Sequence, residues 1–179
     1  MDKIRILGKE FRILITYGKI QESVERMANQ MNKDLQDNNV IFLGILNGAF
    51  MFVSDLIRRI KFDCEVSFLK LATYEGSYST GNLKRLIGLD EDIANKTVIV
   101  LEDIIDTGFT MDKILKQLKG YDPAQIKVAT LFFKSGRFSK KKTPDYIGIE
   151  IPDNFIVGYG LDYKGYGRNL KDIYAMTDY

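Results

Sequence analysis

Three carboxylates, Glu102, Asp103 and Asp106, lie close together in the segment Val98–Met111, VIVLEDIIDTGFTM. Glu102 and Asp103 follow an apolar run, Thr97–Leu101, of the kind that forms a buried strand. Adjacent residues on a strand point to opposite sides of the sheet, so this pair at the strand end can hold sugar hydroxyls or a metal ion. Like charges so close together repel and call for a cation or hydrogen-bond donors nearby. Ile104 and Ile105 separate the pair from Asp106-Thr107-Gly108-Phe109-Thr110, which leads into a helical pattern, Met111–Leu118. The free N–H groups and dipole at a helix N-terminus attract an anion. Thr107 and Thr110 add hydroxyl donors, and Gly108 allows close backbone approach to a phosphate. A plain capped helix, with Asp106 or Thr107 as N-cap, is the simpler alternative. Capping, however, needs only one such residue and leaves the other carboxylates without a purpose. The Gly-Lys-Ser/Thr ending of a Walker A loop is missing.

The rest of the composition narrows the chemistry. Among 179 residues there is no histidine, which excludes a His base, a Ser-His or Cys-His dyad and a His metal ligand. Proton transfer must rest on carboxylates, Lys, Tyr or the single cysteine, Cys64. A lone cysteine forms no internal disulfide and fits a cytoplasmic protein. Hydrophobic residues at 45% and charged residues at 28% describe a globular chain long enough to bury a core. A single domain, residues 1–179, is expected. No apolar stretch approaches the roughly 18–20 residues of a membrane helix, and the polar start, Met1–Glu10, has no signal-peptide core. A net charge of +2 does not indicate a nucleic-acid binder. The short basic run Lys140–Lys142, just after Gly136 and Arg137, reads as a solvated loop.

Elements must carry these residues. Lys19–Asp37 has helical apolar spacing. Val40–Leu46 is a buried-strand run ending in the turn signal Asn47–Gly48, and Ala49–Ile60 reads as a helix. Strands are expected at Glu65–Leu71, Thr97–Leu101, Ile126–Phe133, Ile147–Ile151 and Phe155–Val157. Thr73–Arg85 is a polar, Gly- and Ser-containing loop, either a functional lid or a hairpin tip. Strands alternating with helices predict an α/β fold, a mainly parallel sheet with helices on both faces. Ligands of such folds bind beyond the C-terminal ends of the strands.

VIVLEDIIDTGFTM resembles the phosphoribosyl-pyrophosphate motif of type I phosphoribosyltransferases, and its EDIIDTG form is similar to the hypoxanthine-guanine branch. The resemblance runs from about Phe11 to Asp178. It implies the fold of that family, with a small hood built from the chain ends. It implies a purine-salvage transferase that joins phosphoribosyl pyrophosphate to hypoxanthine or guanine with Mg²⁺, works in the cytoplasm, and forms a homodimer or homotetramer.

Residue by residue, the resemblance makes Asp106 the base or acid at purine N7, a role that suits a carboxylate where histidine is absent. Thr107, Gly108, Phe109 and Thr110 would cradle the 5′-phosphate. Glu102 and Asp103 would meet the ribose hydroxyls directly or through Mg²⁺, and Ile104 would pack under the base. Asn47 and Gly48 match the pyrophosphate loop, which binds mostly through its backbone, often with a cis bond; relatives often carry Lys where this chain has Asn47. Lys134 would donate to the purine 6-oxo group, and so favour hypoxanthine and guanine over adenine. Phe155 would stack on the base, with the Ile156 backbone at its edge. Asp162 would reach Mg²⁺, and Arg168 would bind pyrophosphate. Thr73 and Tyr74 match the Ser-Tyr pair that opens the mobile loop, which makes Thr73–Arg85 the lid. Taken singly, Asn47–Gly48 is also a simple turn, Phe155 a core residue, and Lys134, Asp162 or Arg168 a surface charge. A transferase for xanthine or a pyrimidine, an RNA-binding relative and a catalytically silent nucleotide binder are the alternative readings.

Overall fold

Val40–Leu46 forms the central strand, as its unbroken apolar run predicts. Ile41, Leu43 and Ile45 pack to one side of the sheet, Val40 and Phe42 to the other. A strand of a parallel sheet needs apolar residues on both faces because helices cover both. The computed structural model describes residues 3–73, 84–140 and 143–177, with the backbone alone at 71–73 and 84–87.

In chain order the elements are β1 (Lys3–Ile6), β2 (Lys9–Ile15), α1 (Tyr17–Leu35), β3 (Val40–Leu46), α2 (Phe50–Ile57), β4 (Cys64–Thr73) and β5 (Lys84–Ile87). There follow β6 (Thr97–Ile105), α3 (Phe109–Leu118), β7 (Gln125–Phe133), β8 (Tyr146–Glu150), β9 (Ile156–Val157) and β10 (Ile173–Met176). The main sheet has the order β5-β4-β3-β6-β7-β8. Its neighbours pair in parallel except β5, which runs antiparallel to β4. Helix α1 buries Ile20, Val24, Met27, Met31 and Leu35, three or four residues apart and so on one helical face. They pack with α2, Phe42, Ile99 and Leu101. Helix α3 closes the other face with Met111, Ile114 and Leu118 against Leu43, Val98 and Val100.

The second sheet, β1-β2-β10-β9, is antiparallel and joins the two chain ends. It is the expected hood, with its own small core of Phe11, Val157 and Tyr174. Its strands β1, β2 and β10 are not among the strands expected from the sequence: β1 alternates charged and apolar residues over only four positions, and β2 mixes them and is only partly buried. Two other boundaries differ from expectation. Strand β6 continues through Ile105, so Glu102 and Asp103 lie within the paired strand, held by β7. Thr73 ends β4, and Lys84 and Arg85 belong to β5. Both ends of the expected lid are thus strand residues, and Tyr74 with residues 75–83 lies outside the described residues. Among the described residues no helix is long and apolar enough to cross a membrane.

The sheet order locates a site. From β3 the chain moves outward to β4, then returns to β6 on the opposite side of β3. Helix α2, which follows β3, covers one face; α3, which follows β6, covers the other. A crevice opens at such a switch point, beyond the C-terminal strand ends. The segments leaving it are Asn47–Gly48 and Asp106–Thr110.

Candidate active site

The Leu46–Asn47 peptide is cis, and Asn47 is exposed at the turn. Gly48 lies directly against β6: a Cβ there would be 1.6 Å from Asp103 Oδ2. The same turn touches the hood, since a Cβ on Gly160 would be 2.1 Å from the Gly48 carbonyl oxygen. Both positions need glycine because backbone or carboxylate fills the space of a side chain. Arg168 donates from Nη1 to the Gly160 carbonyl at 2.7 Å and pairs through Nη2 with Asp162 Oδ1 at 2.5 Å. Asp162 Oδ2 accepts from the Gly165 N–H at 2.6 Å. Asp103, Gly48, Gly160, Arg168 and Asp162 thus form one connected wall. Neither Asp162 nor Arg168 is a free surface charge.

Burial, and then the charge of neighbouring Asp103, pushes the Glu102 carboxyl well above the usual range. Burial also raises Asp103, against hydrogen bonds from the Ile104 and Asp103 N–H groups and the charge of Arg168. Glu102 Oε2 is buried without a hydrogen-bond partner. An orphaned carboxylate oxygen beside a second carboxylate suits a cation or hydroxyl donors. Among the described residues no group of three or more acidic, His or Cys side chains could hold a metal on its own. That donor set fits Mg²⁺, which keeps much of its water and shares few carboxylates with substrate phosphates.

Helix α3 starts at Phe109 with Gly108 as N-cap at φ +80°, and has no side-chain cap. Asp106 and Thr107 are therefore not its caps, and the first-turn N–H groups remain largely open. Thr107 Oγ1 accepts only a long contact from the Phe109 N–H, at 3.4 Å. Phe109 is exposed, with Lys113 and Lys140 over its ring at 4.5 and 5.3 Å. Thr110 is half-buried in the first turn, and Ile104 packs toward the core of α1 and α2.

Asp106 leaves the end of β6 beside the end of β7, where the Lys134 N–H donates to the Ile105 carbonyl at 3.0 Å. Lys134 is only 7% exposed, so it is no surface lysine. Its Nζ lies 3.7 Å from Asp106 Oδ2 and 3.3 Å from Asp153 Oδ1. Arg137 closes the group, with Nε 3.1 Å from Asp106 Oδ1 and Nη1 3.1 Å from Asp153 Oδ1. Neither Arg137 nor Asp153 stands out in the sequence. Arg137 lies just before the basic run Lys140–Lys142, and its two ion pairs show that it is not itself a solvated charge. Among the described residues the ion-pair partners of Asp106 are these two cations.

Phe155 is 43% exposed and is not a core residue. Its ring meets Tyr163 edge-on at 5.7 Å, and Tyr163 packs on Phe11 of the hood at 5.8 Å. Ile156 is buried in β9, paired with Ala175. Of the expected lid pair, Thr73 is the last residue of β4, opposite Lys84.

Residues 16–164 match the sequence profile of the family described as phosphoribosyl transferase domain. The hypoxanthine-guanine phosphoribosyltransferase of Homo sapiens is 36% identical over 177 residues, covering 93% of this chain and 81% of its own. The protein of the same name from Aquifex aeolicus (strain VF5) is 35% identical, covering 99% and 100%. A crystal structure of a hypoxanthine phosphoribosyltransferase from Staphylococcus aureus superposes with a TM-score of 0.83 at 34% identity, covering 93% and 91% of the two chains. Family match, relatives and fold agree: the chain belongs to the phosphoribosyltransferase family.

Proposed function

We propose that this chain is a purine-salvage enzyme. It transfers the 5-phosphoribosyl group from phosphoribosyl pyrophosphate to N9 of hypoxanthine or guanine, forming IMP or GMP and releasing pyrophosphate. The observation that carries this reading is the pairing of Asp106 Oδ2 with Lys134 Nζ, 3.7 Å apart at the mouth of the crevice. A 6-oxopurine presents O6 and N7 side by side on one edge. Lys134 donates to O6, and Asp106 accepts the proton that N7 carries as N9 attacks C1′. Adenine, with an amino group in place of O6, offers Lys134 a donor and is disfavoured.

The first-turn N–H groups of α3, with the Thr107 and Thr110 hydroxyls, take the 5′-phosphate. The Asn47–Gly48 backbone and Arg168 hold the pyrophosphate. Asn47 supplies no positive charge, so Arg168 is the cation that faces that group. Phe155 covers the base and Ile156 meets its edge, while Ile104 supports it from below. Glu102, Asp103 and Asp162 are the carboxylates proposed to hold Mg²⁺, directly or through water and the ribose hydroxyls. When bound, that ion supplies neutralisation of the leaving pyrophosphate. Thr73 and Tyr74 open a lid that keeps water from the cationic ribose. The whole chain acts as one transferase domain, cytoplasmic and assembled as a homodimer or homotetramer.

The test is incubation with phosphoribosyl pyrophosphate, Mg²⁺ and each of hypoxanthine, guanine, xanthine and adenine, followed by chromatography for nucleotide and pyrophosphate. Formation of nucleotide from hypoxanthine or guanine is expected. Absence of product from every 6-oxopurine would end this reading.

A further inference from the structure

Around Asp106 the charges alternate: Asp106, Arg137, Asp153 and Lys134 close a ring of four. One guanidinium spans both carboxylates, Nε toward Asp106 and Nη1 toward Asp153. The planar fork of arginine presents two fixed, separate N–H groups to two acceptors, a geometry that the single ammonium of lysine does not reproduce. Asp106 Oδ1, the oxygen facing Arg137, is buried and makes no aligned hydrogen bond. Oδ2 is the oxygen turned toward Lys134.

From this arrangement we infer that Arg137 is a positioning residue for the transfer: it holds Asp106 Oδ1 so that Oδ2, beside Lys134 Nζ, is the oxygen presented to purine N7. The inference rests on the purine-salvage reading above. Without Arg137, the pull of Lys134 on Asp106 loses its counterweight on the Asp106 side. At 3.7 Å the pair is ion-paired but not hydrogen-bonded, and Lys134 keeps a proton for the 6-oxo group. Collapse of the pair would occupy the proton-accepting oxygen and the 6-oxo donor together. Asp153 opposes this collapse by drawing Lys134 the other way, at 3.3 Å. Because Arg137 is nearly half exposed, it acts through this geometry and not through the core.

The experiment compares wild type with Arg137→Gln, Arg137→Lys, Asp106→Asn and the double variant Asp106→Asn/Arg137→Gln, using hypoxanthine and phosphoribosyl pyrophosphate. Arg137→Gln is expected to lower kcat about ten- to a hundredfold, since misplacement of a reacting group costs about that much. KM for hypoxanthine should rise, while KM for phosphoribosyl pyrophosphate and the thermal midpoint stay at wild-type values. Arg137→Lys should recover only part of the rate. In the Asp106→Asn background, Arg137→Gln should cost nothing further, the non-additivity expected of residues acting as a unit. Wild-type kcat in Arg137→Gln, full rescue by lysine, or additive losses in the double variant would each overturn the inference while leaving the reaction assignment intact. A wild-type protein that makes no nucleotide would overturn the assignment itself.

Discussion

Gly48 and Asp103 occupy a single space: a Cβ built on the glycine would sit 1.6 Å from Asp103 Oδ2 and 2.5 Å from its Cγ. The turn after β3 can approach β6 this closely only because Gly48 has no side chain. Gly48→Ala must push the carboxylate away or move the turn. Overpacking of this kind costs about 1–3 kcal/mol. Here the strain falls on a carboxylate proposed for the sugar and metal. The expected outcome is a raised KM for phosphoribosyl pyrophosphate and a raised Mg²⁺ requirement. Steady-state kinetics over a magnesium series would show both, and a wild-type KM in Gly48→Ala would deny the contact any functional weight.

Asp106 is about one-third exposed and makes no aligned hydrogen bond through its buried oxygen. Asp106→Asn should therefore fold normally. It should lower kcat about 10²–10⁴-fold, the usual contribution of a positioned acid or base. Circular dichroism and initial rates check the two halves of this expectation. Near-normal turnover would remove Asp106 from proton transfer.

Lys134 is buried between two carboxylates. Lys134→Met keeps the bulk and deletes the donor. Loss of a charged hydrogen bond to the 6-oxo group is worth about 1.5–3 kcal/mol, a rise of about tenfold or more in KM for hypoxanthine. Discrimination against adenine should narrow at the same time. Competition between the two bases measures it; unchanged selectivity would place 6-oxo recognition elsewhere.

A polar network away from the crevice ties the hood to the main domain. Asp55 of α2 accepts from Tyr159 Oη at 2.5 Å and from Gln21 at 2.6 Å, and pairs with Arg58. Burial pushes the Asp55 carboxyl up, but these hydrogen bonds and the Arg58 charge outweigh it and hold it below the usual range. A depressed carboxylate stabilises the fold above its unfolded pKa, and the contribution is lost as pH falls through the folded value. Tyr159→Phe should cost about 1–3 kcal/mol at neutral pH, and the gap from wild type should shrink in acid. Urea melts at neutral pH and below the carboxylate range test this. A gap of equal size at both would remove Asp55 as the linked group.

Much of the main sheet was readable because its strands are buried on both faces. Such strands become unbroken apolar runs, as in Val40–Leu46 and Thr97–Leu101. The Asp106–Thr110 turn was readable because a phosphate loop concentrates its chemistry in consecutive residues. The hood strands did not stand out, since β1 alternates Lys or Arg with Ile over only four residues and β2 mixes charged and apolar residues and is only partly buried. The end of β6 was misplaced because Glu102 and Asp103 look like a strand terminus, yet the ladder to β7 continues past them.

By itself, then, the sequence determined the local chemistry: a carboxylate-rich strand, a glycine turn into a helix, and no histidine to compete for the proton. Only the tertiary structure decided which of those groups meet. It set Gly48 against Asp103 and Gly160 against Gly48, and it gave Asp106 the cations Lys134 and Arg137 as its charged neighbours. Residues that meet across different strands and loops leave no periodic trace along the chain. Their partnership exists only once the sheet order has brought the ends of β3, β6 and β7 together.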